Sequence, residues 1–239
     1  MAALRAHLRA LPPERLQKMN RAADDILECY RVLHRGGSNI VAEILRGQGT
    51  FYEWDHYPEG DVYDGESHGQ YYYHAHREGE HGHFHTFMRL AGIKAGVAPV
   101  PYDGEADWPT EEDEILSHLI AISMDSAGFP ISLFTTNRWV TGENWYRGED
   151  VIDMLDDFLI DHSTPSWPAN RWISAMLTLF RPQIGQLIRA RDAAIADWQK
   201  KHPGTDVFED RELEITSLLE IQVEDQIRSI KEVIEGRAD

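Results

Sequence analysis

Helical periodicity at both ends and alternating, aromatic-rich runs in the middle predict an α+β fold, a central antiparallel sheet of hairpins flanked by amino-terminal and carboxy-terminal helices. Turn residues break the central runs at hairpin spacing, and neither an internal repeat nor a low-complexity tract interrupts the 239 residues. The expected organisation is one α+β domain over 1–239, with a helical part at 1–49, the sheet at 50–147 and a second helical part at 148–239.

From Pro12 to Leu33 the apolar residues Leu16, Met19, Ala23, Ile26, Tyr30 and Leu33 recur in steps of three and four, the stripe of an amphipathic helix that Gly36-Gly37 ends. Cys29 falls inside it as a small core residue. A short helix is expected from Asn39 to Arg46, with Ser38 as N-cap and Gly47 past its end. Between Thr50 and Arg89, aromatic runs broken by Gly, Pro, Asp and Glu favour strands. A loop follows from Ala91 to Glu112. His118 to Met124 then alternates as a strand, Asp125-Ser-Ala-Gly128 turns it, and Phe129 to Asn137 returns beside it. A four-residue turn would place Leu133 opposite Ile120, and Thr135 opposite His118. The rest reads as helices over Glu149–Asp161, Ala169–Lys200 with a break near Pro182, and Glu209–Glu235, the last able to mediate a homodimer. Asp153, Asp156, Asp157 and Asp161 fall where a solvated acidic face is expected.

The chain carries 23 Lys and Arg against 41 Asp and Glu, a net charge of −18 without any basic cluster, which argues against nucleic acid and anionic membranes as partners. With 42 % hydrophobic residues it can form a packed core. No run approaches the roughly 18 apolar residues of a membrane span. The single Cys29 can form no intrachain disulfide and the first residues show no apolar leader core, so a cytoplasmic setting is expected.

The chemistry concentrates in the histidines. Of twelve, seven lie between His56 and His85. In Gln70-Tyr-Tyr-Tyr-His74-Ala-His76-Arg-Glu-Gly-Glu80-His81-Gly-His83-Phe-His85, a turn over Glu78-Gly79 sets His76 opposite His81, His74 opposite His83 and Tyr72 opposite His85. Strand alternation then sends all five histidines and Tyr72 to one face. Opposed Cβ atoms are about 4.5–5.5 Å apart, so four imidazoles would mark a metal-sized rectangle. The other face carries Tyr71, Tyr73, Ala75, Gly82, Phe84 and Thr86, with small residues where another group can pack closely. Crowded imidazolium ions repel, whereas neutral imidazoles offer lone pairs to a transition metal. Candidate ligands are His74, His76, His81, His83 and His85, with Glu80 as a carboxylate and His118 as an extra nitrogen. One strand spans roughly 13 Å from His81 to His85, so three or four of the five would ligate and the rest would support them. His56 can join from a neighbouring strand with Glu53 or Asp55. Tyr72, Arg138 and Trp139 are candidate substrate-binding residues; Arg138 and Trp139 can equally pack the helix that follows.

Gly69, His74, His76 and Glu80 resemble the first cupin motif, in which two histidines and a glutamate bind metal; the glycine here is one residue nearer. His81-Gly-His83-Phe-His85-Thr-Phe resembles the histidine triad of nucleotide hydrolases and transferases, which would make His83 the nucleophile, although Gly82 and Thr86 break its apolar alternation. The segments Gly82–Phe87 and Leu133–Val140 resemble those of an uncharacterised bacterial protein family, a likeness that covers most of the chain and implies no activity.

These readings lead to a histidine-ligated, transition-metal-dependent enzyme acting on a small molecule. One ion is expected, iron favoured with copper, zinc and manganese open, and the chemistry leans to a non-haem oxygenase or oxidoreductase. A histidine-triad-type nucleotide hydrolase or transferase, a non-catalytic metal buffer or sensor, and an incidental histidine face remain the alternatives.

Overall fold

A computed structural model describes residues 2–77 and 79–236. The amino-terminal part contains α1 (Ala2–Ala10), α2 (Pro13–Arg35) and α3 (Ile40–Leu45). The stripe read in the sequence is the buried side of α2: Leu16, Met19, Ala23, Ile26 and Leu33 lie in the core, and so does Cys29, whose thiol burial pushes up to about 11. α1, which lies before the first predicted helix, buries Leu8 completely. Asn39, not Ser38, caps α3 by accepting a hydrogen bond from the Ala42 N–H at 2.8 Å, while the Ser38 hydroxyl donates to Glu43.

The sheet has six strands in sequential order, all antiparallel: β1 (Tyr57–Tyr63), β2 (Gly69–His74), β3 (Gly82–Arg89), β4 (Leu116–Met124), β5 (Pro130–Thr136) and β6 (Ile215–Glu220). The turn between β4 and β5 forms at Asp125–Gly128, with the Asp125 carboxylate accepting from the Ala127 and Phe129 N–H groups. Its register differs from expectation. Leu133 pairs with Ile122, two positions along from Ile120, because Phe129 is taken into the turn and Met124 lies opposite Pro130 at an irregularity. An offset of two preserves the faces, so Ile120, Ile122 and Leu133 still enter the core.

After β5 come α4 (Arg138–Thr141), α5 (Gly148–Met154), α6 (Trp167–Leu179), α7 (Arg181–Lys201) and α8 (Val223–Glu235). The break near Pro182 falls at Phe180, with Pro182 in the first turn of α7 where its missing N–H costs no helical bond. Two helix expectations are corrected. α5 stops at Met154, and the helix expected from Glu209 begins only at Val223, because residues 215–220 extend as β6 and pair with β5. The aspartates at 153, 156, 157 and 161 are exposed, as an acidic face should be.

Tyr71, Tyr73, Phe84, Ile120, Ile122 and Leu133 share the main core with the buried sides of the helices; the Tyr71 hydroxyl donates to Asn170 of α6 at 2.6 Å and Phe84 meets Trp172. α8 packs its apolar side on α1 and α2 within the chain. The helices thus cover one side of the sheet and leave the histidine-bearing side to loops. Among the described residues no helix is long and apolar enough to cross a membrane.

Candidate metal centre

β2 and β3 fix the centre. His74 pairs with His83 and Tyr72 with His85, the register the sequence predicts. Both Nε2 atoms of the first pair point inward, 2.7 Å apart. One must carry a proton for that contact to attract; an ion between the rings would use the same lone pairs.

The connection is wider than a tight turn. The β2–β3 ladder ends with His74 opposite His83, and β3 begins at Gly82, so the expected pairing of His76 with His81 is not made. Glu78 of the expected turn lies outside the described residues, and Gly79 has the left-handed φ of +87°. The wider loop lets three side chains turn onto the histidine face. His76 reaches within 5.1 Å of the His83 ring, Arg77 lies 4.6 Å over Phe134, and Glu80 hydrogen-bonds to His83 Nδ1. His74, His76 and His83 therefore bring one ligand nitrogen each within 4.8 Å of one another.

His81 departs from its predicted position. Its Nδ1 meets the Tyr73 hydroxyl at 2.7 Å, and Tyr73 belongs to the helix-covered core. The physical reason is Gly82: the Tyr73 phenol lies so close over it that a Cβ there would sit 2.3 Å from Oη. This is the close packing that the small residues of that face anticipate. Four of the five hairpin histidines share a face, and the fifth holds the phenol on the other.

Glu80 stands behind His83 instead of beside its inward nitrogen. A carboxylate on Nδ1 fixes the ring orientation and leaves Nε2 as the free donor atom, the usual support of a metal-binding imidazole. Burial opposes ionisation of Glu80, but hydrogen bonds with His83 and Ser123 and the charges of His83 and Arg77 outweigh it and hold the carboxyl below its ordinary range. Burial, reinforced by His83, His76 and His56, pushes His74 down to about 2, and burial also lowers His76. At neutral pH these two rings are neutral, with lone pairs available.

His118 reaches the site by a route that strand alternation hides. Thr86 pairs with Ile120 and the next residue, Phe87, with His118, so Leu119 is an extra residue in β4. This bulge turns His118 away from the apolar stripe and onto the histidine face, while Thr135, its expected partner, pairs with Ser217. His118 Nε2 lies 3.0 Å from His85 Nδ1, and the other His85 nitrogen, Nε2, is buried without a partner among the described residues. Burial pushes His118 down to about 3.

Sequence reasoning missed Glu143 and Trp54. Glu143 is fully buried, accepts from the His118 backbone N–H at 2.6 Å, and is pushed up by burial to about 7. A lone Glu after Gly142 carries no signal of this; its burial is a property of the fold. Trp54 stacks on His76 at 4.2 Å. His56 stacks on Tyr72 at 3.6 Å, and its carboxylate partner is Asp61 at 3.2 Å, not Glu53 or Asp55. It also lines an open cleft of about 690 Å³ with Gln48, Tyr52, Asp55 and Asp61.

Arg138 and Trp139 are engaged elsewhere. The buried Arg138 guanidinium donates to Glu209, to the Glu143 and Asp107 carbonyls, and lies over Trp108. The Trp139 indole N–H donates to the Leu213 carbonyl at 2.9 Å. Tyr72 alone of the three substrate-binding candidates stands among the histidines, with Phe87 stacked beside it.

The chain belongs to the family described as a domain of unknown function, DUF6969, whose profile matches residues 20–221. Neither a curated protein nor a solved structure matches it.

Proposed function

We propose that this DUF6969 chain is a transition-metal-dependent enzyme whose ion is held by His74, His76 and His83, acting on a small molecule that enters from the cleft beside His56. The observation that carries the reading is the convergence of three imidazole nitrogens within 4.8 Å, with a buried carboxylate set behind one of them. Such an ion supplies Lewis acidity or, as iron(II), electrons for dioxygen chemistry, and nitrogen-rich ligation with open positions suits the latter.

The chain's own residues do the rest. Glu80 keeps His83 turned inward, and Trp54 backs the partly exposed His76. Tyr72, Phe87 and Phe134 provide an aromatic wall that limits water. His56 bridges wall and cleft through its stack on Tyr72. A triad-type nucleotide hydrolase would draw His81, His83 and His85 from one face, and the placement of His81 beside Tyr73 favours the metal reading over it.

The test is oxygen uptake by the chain reconstituted anaerobically with iron(II) and supplied with panels of small organic substrates. The proposal expects uptake that requires a substrate and disappears in His83→Ala. Metal binding without any turnover, with oxygen or in hydrolytic assays, would favour a buffer or sensor.

A further inference from the structure

Beside the three-histidine site lies another pair of ligand-type nitrogens that the first ion does not use. His85 Nδ1 and His118 Nε2 face each other at 3.0 Å, with the residues 0 % and 2 % exposed. The His85 ring stands 4.8 Å from that of His83. Two further observations single the pair out. The other His85 nitrogen, Nε2, is buried with no partner among the described residues, so hydrogen bonds do not anchor the ring at both ends, an arrangement that a sheet built for stability alone does not favour. The bulge at Leu119 interrupts the β3–β4 ladder, and its result is to bring His118 onto this face.

Charged groups of both signs stand near His118. The Glu143 carboxylate, 0 % exposed, lies against the His118 backbone and accepts hydrogen bonds from that N–H and, at 3.5 Å, from the Thr141 hydroxyl. The Arg191 guanidinium, which also acts on this corner, is tied to Asp192 and to the Tyr146 carbonyl. Two imidazole nitrogens suit a first-row divalent ion that completes its shell with oxygen ligands.

We propose that His85 and His118 hold a second divalent transition-metal ion, making the histidine face a binuclear centre. The binuclear character rests on the three-histidine reading above; the second pair itself shares no ligand with it. Held by His74, His76 and His83 and by His85 and His118, two ions would supply Lewis acidity of the kind used where attacking and leaving oxygens are stabilised together.

The experiment counts ions per chain after loading the full chain with excess zinc(II) and desalting, by elemental mass spectrometry. The proposal expects two in the native chain, one in His118→Asn, and one in the His74→Ala/His83→Ala variant, each variant checked for native circular dichroism. Loading with copper(II) gives an independent readout, since two neighbouring ions couple and the integrated electron paramagnetic resonance signal falls below the copper content. One ion in the native chain, retained in His118→Asn, overturns the second site and leaves the first standing. No ion in the native chain overturns both. Two copper ions with an undiminished signal place the second ion elsewhere and also overturn the proposal.

Discussion

Replacing Glu80 by glutamine keeps the side chain's size but removes the charge behind His83, whereas alanine removes the hydrogen bond as well. Both partners are buried, the Glu80 side chain 6 % and that of His83 1 % exposed, so water replaces neither contact at full strength. Losing such an outer partner lowers metal affinity by about 10- to 100-fold, or about 1.4–2.7 kcal/mol. Glutamine belongs at the lower end because its amide oxygen can still accept from Nδ1–H; alanine belongs at the upper end. The assay is competition for zinc(II) or cobalt(II) against a chromophoric chelator at neutral pH, with thermal melts of the metal-free forms as the folding control. The cobalt absorption bands should keep their shape, since the ligand set is unchanged. Affinity within about twofold of native in both variants would refute the orienting role, because it lies well below the expected tenfold loss. A much larger loss with altered cobalt bands would make Glu80 a direct ligand.

Other expectations follow from the same geometry. Gly82→Ala sets a Cβ 2.3 Å from the Tyr73 hydroxyl and 2.7 Å from the His74 carbonyl oxygen. It should cost about 2 kcal/mol in denaturant unfolding and weaken metal binding by disturbing the His74–His83 pair, and a native melt with native affinity would contradict that packing. Asp156 joins Arg15 of α2 to Arg181 of α7; burial opposes its ionisation, but the two guanidinium groups bring it down to about 2 from the ordinary 3.8. A carboxyl depressed in the folded state stabilises above its unfolded value, and that stabilisation is lost as pH falls through its folded value. Asp156→Asn should therefore cost about 1 kcal/mol at pH 7, allowing for its partial exposure, with the gap from native closing as the pH approaches 2. A pH-independent gap would show that the charge is not its source. Arg138→Ala leaves Glu209 and two carbonyls without their donor and should cost about 3 kcal/mol while metal affinity stays native in the folded fraction. Unchanged stability would make its contacts dispensable.

Local patterns carried much of the architecture. The α2 stripe needed only its period, and the pairing of His74 with His83 followed from one Glu-Gly signal and strand alternation. What the sequence hid depends on partners distant along the chain. His81 leaves the histidine face because Tyr73 finds room over Gly82, a packing event that alternation does not encode. His118 joins that face through one extra residue, Leu119, and no residue type marks a bulge of this kind. β6 reads as helix from its residues because a six-residue run of mixed apolar and polar residues fits either period, and its strand form is fixed by pairing with β5. Glu143 has no local signature at all; loops and β4 bury it.

The central claim, that His74, His76 and His83 hold a metal ion, meets its most direct test in elemental analysis of untagged protein purified without added metal or chelator, beside the His74→Ala/His83→Ala variant. The account predicts at least one iron, copper, zinc or manganese per native chain, with the ion of this site absent from the variant. Negligible metal in the native protein, persisting after reconstitution with each of these ions, would contradict it.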